Sequence, residues 1–101
     1  MSVSFPKEHY CAPWGVYPCA DQTWCPIEVS TEEEWHYLTV AMGHPELMAY
    51  PDYDHVEARV RNREVLDKHI REWTQALSAT DVKKALANVG VPGRIARGPT
   101  V

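Results

Sequence analysis

The sequence predicts an α+β fold in which a small antiparallel sheet of about three strands packs against three to four helices. Two short β-prone runs surround a polar turn near the N-terminus, and helical periodicity governs most of the chain after them. The 101 residues are 45% apolar and 24% charged, which is typical of one globular unit with a modest core. A hairpin followed by several helices favours a fold in which the helices pack against the sheet.

The first predicted element is a β-hairpin made by residues 15–19 and 24–29. The four residues between them are polar and turn-forming, as a hairpin connection requires. Pro18 and Pro26 cannot donate ladder hydrogen bonds, so each belongs at a strand edge, a bulge or a strand end.

A first helix is predicted to begin after the hairpin, where acidic residues favour the positive end of the helix dipole. Its capping box pairs either Ser30 with Glu33 or Thr31 with Glu34. Gly43 is a natural stop. The predicted core face consists of Trp35, Leu38 and Met42.

The longest periodic segment, residues 56–77, is predicted to be one amphipathic helix. Its apolar stripe is Leu66, Ile70, Trp73 and Leu77. The pairs expected on its solvated side are Glu57–Arg61, Glu64–Lys68 and Asp67–Arg71. Arg59, Arg61 and Arg63 could meet phosphates of a ligand, but charges on such a helix more often form a solvated face, and we adopt that interpretation.

Three further elements complete the prediction. Pro45 can begin a short helix. A last helix is expected to be capped by Thr80 and ended by Gly90, with Val82, Ala85, Leu86 and Val89 sharing a face. Ile95 has the pattern of an inward residue in a third strand.

Charge and composition exclude several function classes. The formal net charge is −4, so the chain does not attract nucleic acid or an anionic membrane surface. No apolar run approaches the roughly 20 residues of a membrane span, and the first ten residues lack a secretory signal, which predicts a cytoplasmic protein.

The three cysteines are predicted to be reduced thiols and to form no metal site. Their spacing, Cys-x7-Cys-x5-Cys, lacks the close ligand pairs of structural zinc. Cys19 and Cys25 lie on predicted strands, where a buried thiol behaves as a small hydrophobe. Cys11 is the one thiol expected to be reactive, and His9 is a candidate base for it, although near neighbours in sequence seldom form such a site.

Three stretches together resemble the family III CoA-transferases: "APWGVYPCADQTWCPIEVSTEEEW", "AMGHPELMAYPDYDHVEARVRNREVLDKHIREWT" and "ANVGVPGRIARGP". That family includes formyl-CoA transferases, carnitine CoA-transferases and α-methylacyl-CoA racemases. The resemblance covers residues 12–99 and implies that residues 14–99 are the family's small domain, with residues 1–13 as a linker or arm. It also implies a large Rossmann-like domain, absent here, and an interlocked homodimer.

The resemblance implies that no catalytic residue lies in this chain, because the family's nucleophilic aspartate and most coenzyme A contacts belong to the large domain. The expected function is therefore part of an enzyme that moves coenzyme A between carboxylic acids, a part that is inactive alone. The chain alone is expected to bind no cofactor, and the coenzyme A thioester is the substrate of the intact enzyme. The alternative is a stand-alone, non-catalytic interaction domain derived from the same fold.

The residues expected to face the substrate or the large domain are few. Residues 7–13 stand where some family members carry a glycine-rich loop over the active site, but contain no glycine here. Trp24, Trp35 and Trp73 are expected in the core. The candidates beside the domain junctions are His9, Trp14, Arg94 and Arg97. Core packing is the alternative for Trp14, and a surface or inter-domain salt bridge is the alternative for the two arginines.

Overall fold

In this computed structural model, residues 10–89 are described, and they form a two-stranded antiparallel sheet packed against four α-helices. The predicted α+β class is confirmed. In chain order the elements are β1 (Trp14–Pro18), β2 (Trp24–Glu28), α1 (Glu32–Ala41), a 3₁₀ helix (Pro45–Ala49), α2 (Val56–Arg61), α3 (Arg63–Thr74) and α4 (Ala79–Val89). The sheet has two strands, one fewer than expected, and the strand predicted around Ile95 lies outside the described residues.

The predicted hairpin is formed by β1 and β2, which pair with Trp14 opposite Glu28 and Tyr17 opposite Cys25. Tyr17, Cys25 and Ile27 point into the core and are 3%, 0% and 0% exposed. Because side chains alternate across a strand, Val16 on the other face is 54% exposed. The hairpin therefore contributes one apolar face to the core.

Helix α1 begins with one of the two predicted capping boxes. The backbone N–H of Glu34 donates to Thr31 Oγ1 over 3.0 Å, and the N–H of Thr31 donates to Glu34 Oε1 over 3.2 Å. The helix ends before Gly43, whose φ of +77° lies in the left-handed region that favours glycine. The predicted core face is confirmed, with Trp35, Leu38 and Met42 buried.

The prediction of one helix over residues 56–77 is wrong, because the helix is interrupted at Asn62 and α3 ends at Thr74. Asn62 has φ −103° and ψ 25°, and its Nδ2 donates to the carbonyl of Ala58 over 3.0 Å. The same Nδ2 also donates to the carbonyl of Asp52 over 3.2 Å, which ties the break to the turn before α2. The stripe itself is confirmed in α3, with Leu66 and Ile70 buried and Trp73 packed at the edge of the core.

The ion pairs predicted along this segment do not form in the described residues. The pairs present there are His44–Glu46, His55–Asp54 and Arg59–Glu32. Asp67, expected to pair with Arg71, instead accepts a 2.6 Å hydrogen bond from Tyr17 Oη. This bond ties α3 to β1 across 50 residues of sequence.

Helix α4 begins at Ala79, so the predicted cap at Thr80 is wrong. Ser78 supplies the cap, because its Oγ accepts a hydrogen bond from the backbone N–H of Asp81 over 3.1 Å. Ala79, Val82 and Leu86 face the core and are buried. The predicted stop at Gly90 lies outside the described residues.

Candidate functional site: an arginine-held lead-in segment

The segment that leads into β1, residues 10–13, has three consecutive carbonyls that accept hydrogen bonds from other parts of the fold. Cys11 and Ala12 are 6% and 0% exposed, and Pro13 is fully buried, whereas Tyr10 is 52% exposed. The backbone N–H of Val29 donates to the carbonyl of Pro13 over 2.9 Å, which extends the pairing of β1 with β2. We call residues 10–13 the lead-in segment.

Arg59, on α2, donates a hydrogen bond to the lead-in segment. Its side chain is 1% exposed, and its Nε donates to the carbonyl of Ala12 over 2.9 Å. One terminal nitrogen donates to the carbonyl of Tyr53 over 3.0 Å, and both terminal nitrogens reach the carboxylate of Glu32 over 3.0 and 2.6 Å. Because a buried charge is tolerated only when it is paired and hydrogen-bonded, these contacts explain how Arg59 is accommodated.

The guanidinium of Arg59 also lies over the ring of Trp35, 5.1 Å from its centroid. A cation over an indole face is attracted by the ring quadrupole. Trp35 is 1% exposed and belongs to α1, as does Glu32. Arg59 therefore joins α1, α2 and the lead-in segment at one buried point.

Arg63, the first residue of α3, makes a second contact with the lead-in segment. Its terminal nitrogen donates to the carbonyl of Cys11, and within residues 10–89 its buried Nε has no hydrogen-bond partner. Arg59 lies in α2 and Arg63 begins α3, so the two arginines hold two consecutive carbonyls from either side of the break at Asn62. Successive residues of the lead-in segment are thus fixed to the α2–α3 layer.

The interpretation of all three arginines as a solvated face is corrected here. Arg61 is exposed, but Arg59 is buried and Arg63 is partly buried. The sequence carried a signal for this: counting back from Leu66 by three and then by four along the apolar stripe gives Arg63 and Arg59. A charged residue in register with a core stripe is a candidate for a buried contact with main-chain carbonyls.

The arrangement of hairpin, lead-in segment and helices recurs in known proteins. A family model described as CoA-transferase family III matches residues 4–99. The chain belongs to this family. The resemblance expected from the sequence motifs is therefore confirmed.

Two curated members of the family share clear sequence identity with the chain. A probable CoA-transferase of Mycobacterium tuberculosis is 36% identical over 77 residues, which make up 75% of this chain and 10% of that protein. The succinyl-CoA–D-citramalate CoA-transferase of Chloroflexus aurantiacus is 35% identical over 85 residues, or 83% of this chain and 21% of that protein. The chain thus spans a tenth to a fifth of these relatives.

The chain also covers only part of the crystal structures that it resembles. A CAIB/BAIF family protein from Brucella suis superposes with a TM-score of 0.81 and 25% identity, covering 94% of this chain and 24% of that one. The protein Rv3272 of M. tuberculosis superposes with a TM-score of 0.78 and 19% identity, covering 88% of this chain and 24% of that one, a likeness of fold alone. The family III fold of these residues corresponds to about a quarter of each solved chain.

Of the four candidate residues at the domain junctions, the structure describes Trp14. It is the first residue of β1, directly after the lead-in segment, and it is partly buried opposite Glu28. His9, Arg94 and Arg97 lie outside the described residues. Of the three tryptophans expected in the core, Trp35 is fully buried, while Trp24 and Trp73 are partly buried.

The three thiols are free and buried. Cys11, expected to be the reactive one, is 6% exposed within the lead-in segment. Burial raises the pKa of Cys19, and burial raises the pKa of Cys25 to about 11, with the Cys19 thiol adding to the effect. Since the thiolate is the reactive form, Cys19 and Cys25 are suited to packing rather than to covalent chemistry.

Residues 10–89 contain no group of three or more histidine, cysteine, aspartate or glutamate side chains placed to hold a metal ion. Nor does any helix in that range have the length and apolarity needed to cross a membrane.

Proposed function

We propose that the chain is the small domain of a family III acyl-CoA transferase that moves coenzyme A between carboxylic acids. In this proposal a large domain outside the 101 residues binds the coenzyme A thioester and carries the nucleophile, so the chain alone is inactive. One observation carries the proposal: two relatives named CoA-transferases are 36% and 35% identical to the chain, which spans 10% and 21% of their length.

The thiols among the described residues do not provide the nucleophile that such a transfer requires. Transfer of an acyl group through an enzyme-bound intermediate needs an accessible, activated nucleophile. Cys19 and Cys25 are buried with raised pKa values, and Cys11 is buried as well. These thiols do not meet that need, which agrees with a nucleophile elsewhere in the polypeptide.

The lead-in segment is proposed to set the direction in which the polypeptide joins the large domain. Arg59 and Arg63 hold its carbonyls, and Trp14 follows it directly. His9 and Trp14 at this junction, and Arg94 and Arg97 at the other end of the chain, are proposed to face the substrate or the large domain. An interlocked homodimer and a cytoplasmic location complete the proposal.

Comparing two proteins in one assay tests the proposal. One is the 101-residue chain, and the other is a longer polypeptide that joins this sequence to a family III large domain. Each is incubated with succinyl-CoA and a panel of carboxylic acids that includes D-citramalate, and new acyl-CoA thioesters are measured by mass spectrometry. We expect transfer by the longer protein and none by the 101-residue chain.

Each contrary result has a definite meaning. Thioester turnover by the 101 residues alone would show that the inactive-domain assignment is wrong. A folded longer protein that transfers coenzyme A to none of the acids would contradict the transferase assignment. Such a result would favour the alternative, a non-catalytic interaction domain of the same fold.

A further inference from the structure

A cleft of about 520 Å³ lies between the 3₁₀ helix and the C-terminal half of α3, away from the lead-in segment. Its volume is within the range of sites that bind small molecules or single side chains. Met42 and Leu47, both buried, and Trp73, partly buried, provide apolar surface in it. The floor of the cleft is therefore suited to an apolar group.

Tyr50 forms an aromatic wall of the cleft, and its ring stacks on that of a buried tyrosine. The ring of Tyr50 stacks on that of Tyr53, with centroids 6.2 Å apart and planes 9° from parallel. Tyr53 is 3% exposed and meets Trp35 edge-on at 6.1 Å and His69 edge-on at 6.4 Å. Tyr50, 52% exposed, thus presents a ring held in place by buried neighbours.

The fixed charges on the cleft are carboxylates, one of which is paired with His44. Glu46 and Glu72 line it, and the described residues that line it include no lysine or arginine. A hydrogen bond from its own backbone N–H, and a second one from His44 Nδ1 over 2.9 Å, lower the pKa of Glu46. His44 and His69 are the other titratable groups with hydrogen-bonding nitrogens on the cleft.

We propose that this cleft binds a guanidinium or primary ammonium group carried on an apolar stem. The carboxylates of Glu72 and of Glu46, the latter also bonded by His44, accept N–H hydrogen bonds from such a group, and charge-assisted bonds of this kind are the stronger ones. Aromatic faces attract the cation, while the apolar floor covers the stem. The inference is independent of coenzyme A transfer, because none of these contacts involves the lead-in segment or a thioester.

A guanidinium or ammonium group can reach the cleft from two sources. One is a free small cation, and the other is an arginine or lysine side chain of another stretch of polypeptide. The ¹⁵N-labelled 101-residue chain is titrated at low salt with n-butylguanidinium, and separately with the capped tripeptide acetyl-Ala-Arg-Ala-amide. Saturable NMR shifts are expected at Leu47 and at the indole N–H of Trp73. Tighter binding of the tripeptide identifies a polypeptide ligand, and equal or tighter binding of n-butylguanidinium identifies a small cation.

Matched variants separate the cleft from general surface charge. We expect Glu72→Gln to weaken n-butylguanidinium binding by about fivefold to tenfold, because it removes one carboxylate from the site. Glu57→Gln removes an exposed carboxylate on α2, outside the cleft, and should leave the affinity unchanged. Tetramethylammonium, which has no N–H donor, should bind more weakly than n-butylguanidinium.

Three results would overturn the proposal. The first is the absence of saturable cleft shifts with either probe up to about 50 mM. The second is an equal loss of affinity in Glu72→Gln and Glu57→Gln, which would indicate only diffuse attraction to an acidic surface. The third is tetramethylammonium binding as tight as that of n-butylguanidinium. None of these readouts depends on acyl-CoA turnover, so they are distinguishable from a failure of the proposed function.

Discussion

Replacing Arg59 by methionine tests whether the lead-in segment depends on hydrogen bonds from this buried side chain. Methionine fills much of the same volume but donates nothing. The substitution removes four hydrogen bonds: one to the carbonyl of Ala12, one to that of Tyr53, and two to the carboxylate of Glu32. The two carbonyl bonds are buried, whereas the Glu32 side chain is 59% exposed.

The expected loss of stability comes mainly from the carbonyls. Each buried acceptor left without its donor costs about 1–3 kcal/mol. Glu32 can regain water, so its pair with Arg59 contributes about 0–1 kcal/mol. Part of the loss is offset because methionine avoids the cost of burying a charge, and we expect the free energy of unfolding to fall by about 3 kcal/mol.

Urea denaturation followed by tryptophan fluorescence measures this change. Arg61→Met, an exposed neighbour on the same helix, is the matched control and should change the free energy of unfolding by less than about 0.5 kcal/mol. Glu32→Gln should cost no more than about 1 kcal/mol. A loss below about 1 kcal/mol in Arg59→Met, or an equal loss in Glu32→Gln, would refute the dominance of the carbonyl contacts.

Three further predictions concern other elements. Tyr17→Phe removes the 2.6 Å hydrogen bond to Asp67 and should lower the free energy of unfolding by about 1.5–3 kcal/mol. Tyr37→Phe, which loses only an exposed bond, should cost less than about 0.5 kcal/mol in the same urea titration, and equal losses would contradict this. Thr31→Ala removes a cap and should cost about 1 kcal/mol, most of it restored by serine at that position; no loss on thermal denaturation would contradict the capping role. Burial raises the pKa of Cys25 to about 11, so above about pH 8.5 only the unfolded chain loses that proton, and the free energy of unfolding should fall as pH rises toward 11. Cys25→Ala should remove this part of the slope, and identical pH profiles for both proteins would count against it.

Elements determined by short-range signals could be predicted from the sequence. The cap of α1 needs only Thr31 and Glu34, three residues apart, and the hairpin needs two β-prone runs around a polar turn. The stripe containing Leu66 and Ile70 reflects burial of one helix face, which periodicity reports directly. In each case the residues that decide the structure are neighbours in sequence.

Features that depend on distant partners could not be predicted in the same way. Arg59 is buried because carbonyls 47 and 6 residues away, and a carboxylate 27 residues away, converge on it. At the helix break, the amide of Asn62 bonds the carbonyls of Ala58 and Asp52, and asparagine alone does not require a break. The cleft likewise brings the 3₁₀ helix to α3, a pairing that no local pattern specifies.

The arginine contacts to the lead-in segment also determine how mechanical force enters this fold. A pull on Tyr10 would act on the carbonyls of Cys11 and Ala12. Because Arg63 and Arg59 bond these carbonyls, the force would pass to α3 and α2. Those contacts resist the load together with the hydrogen bond from the N–H of Val29 to the carbonyl of Pro13. All of them must break before the hydrogen bonds between the two strands can break one after another. A tether attached at this end would therefore load the helices as well as the hairpin.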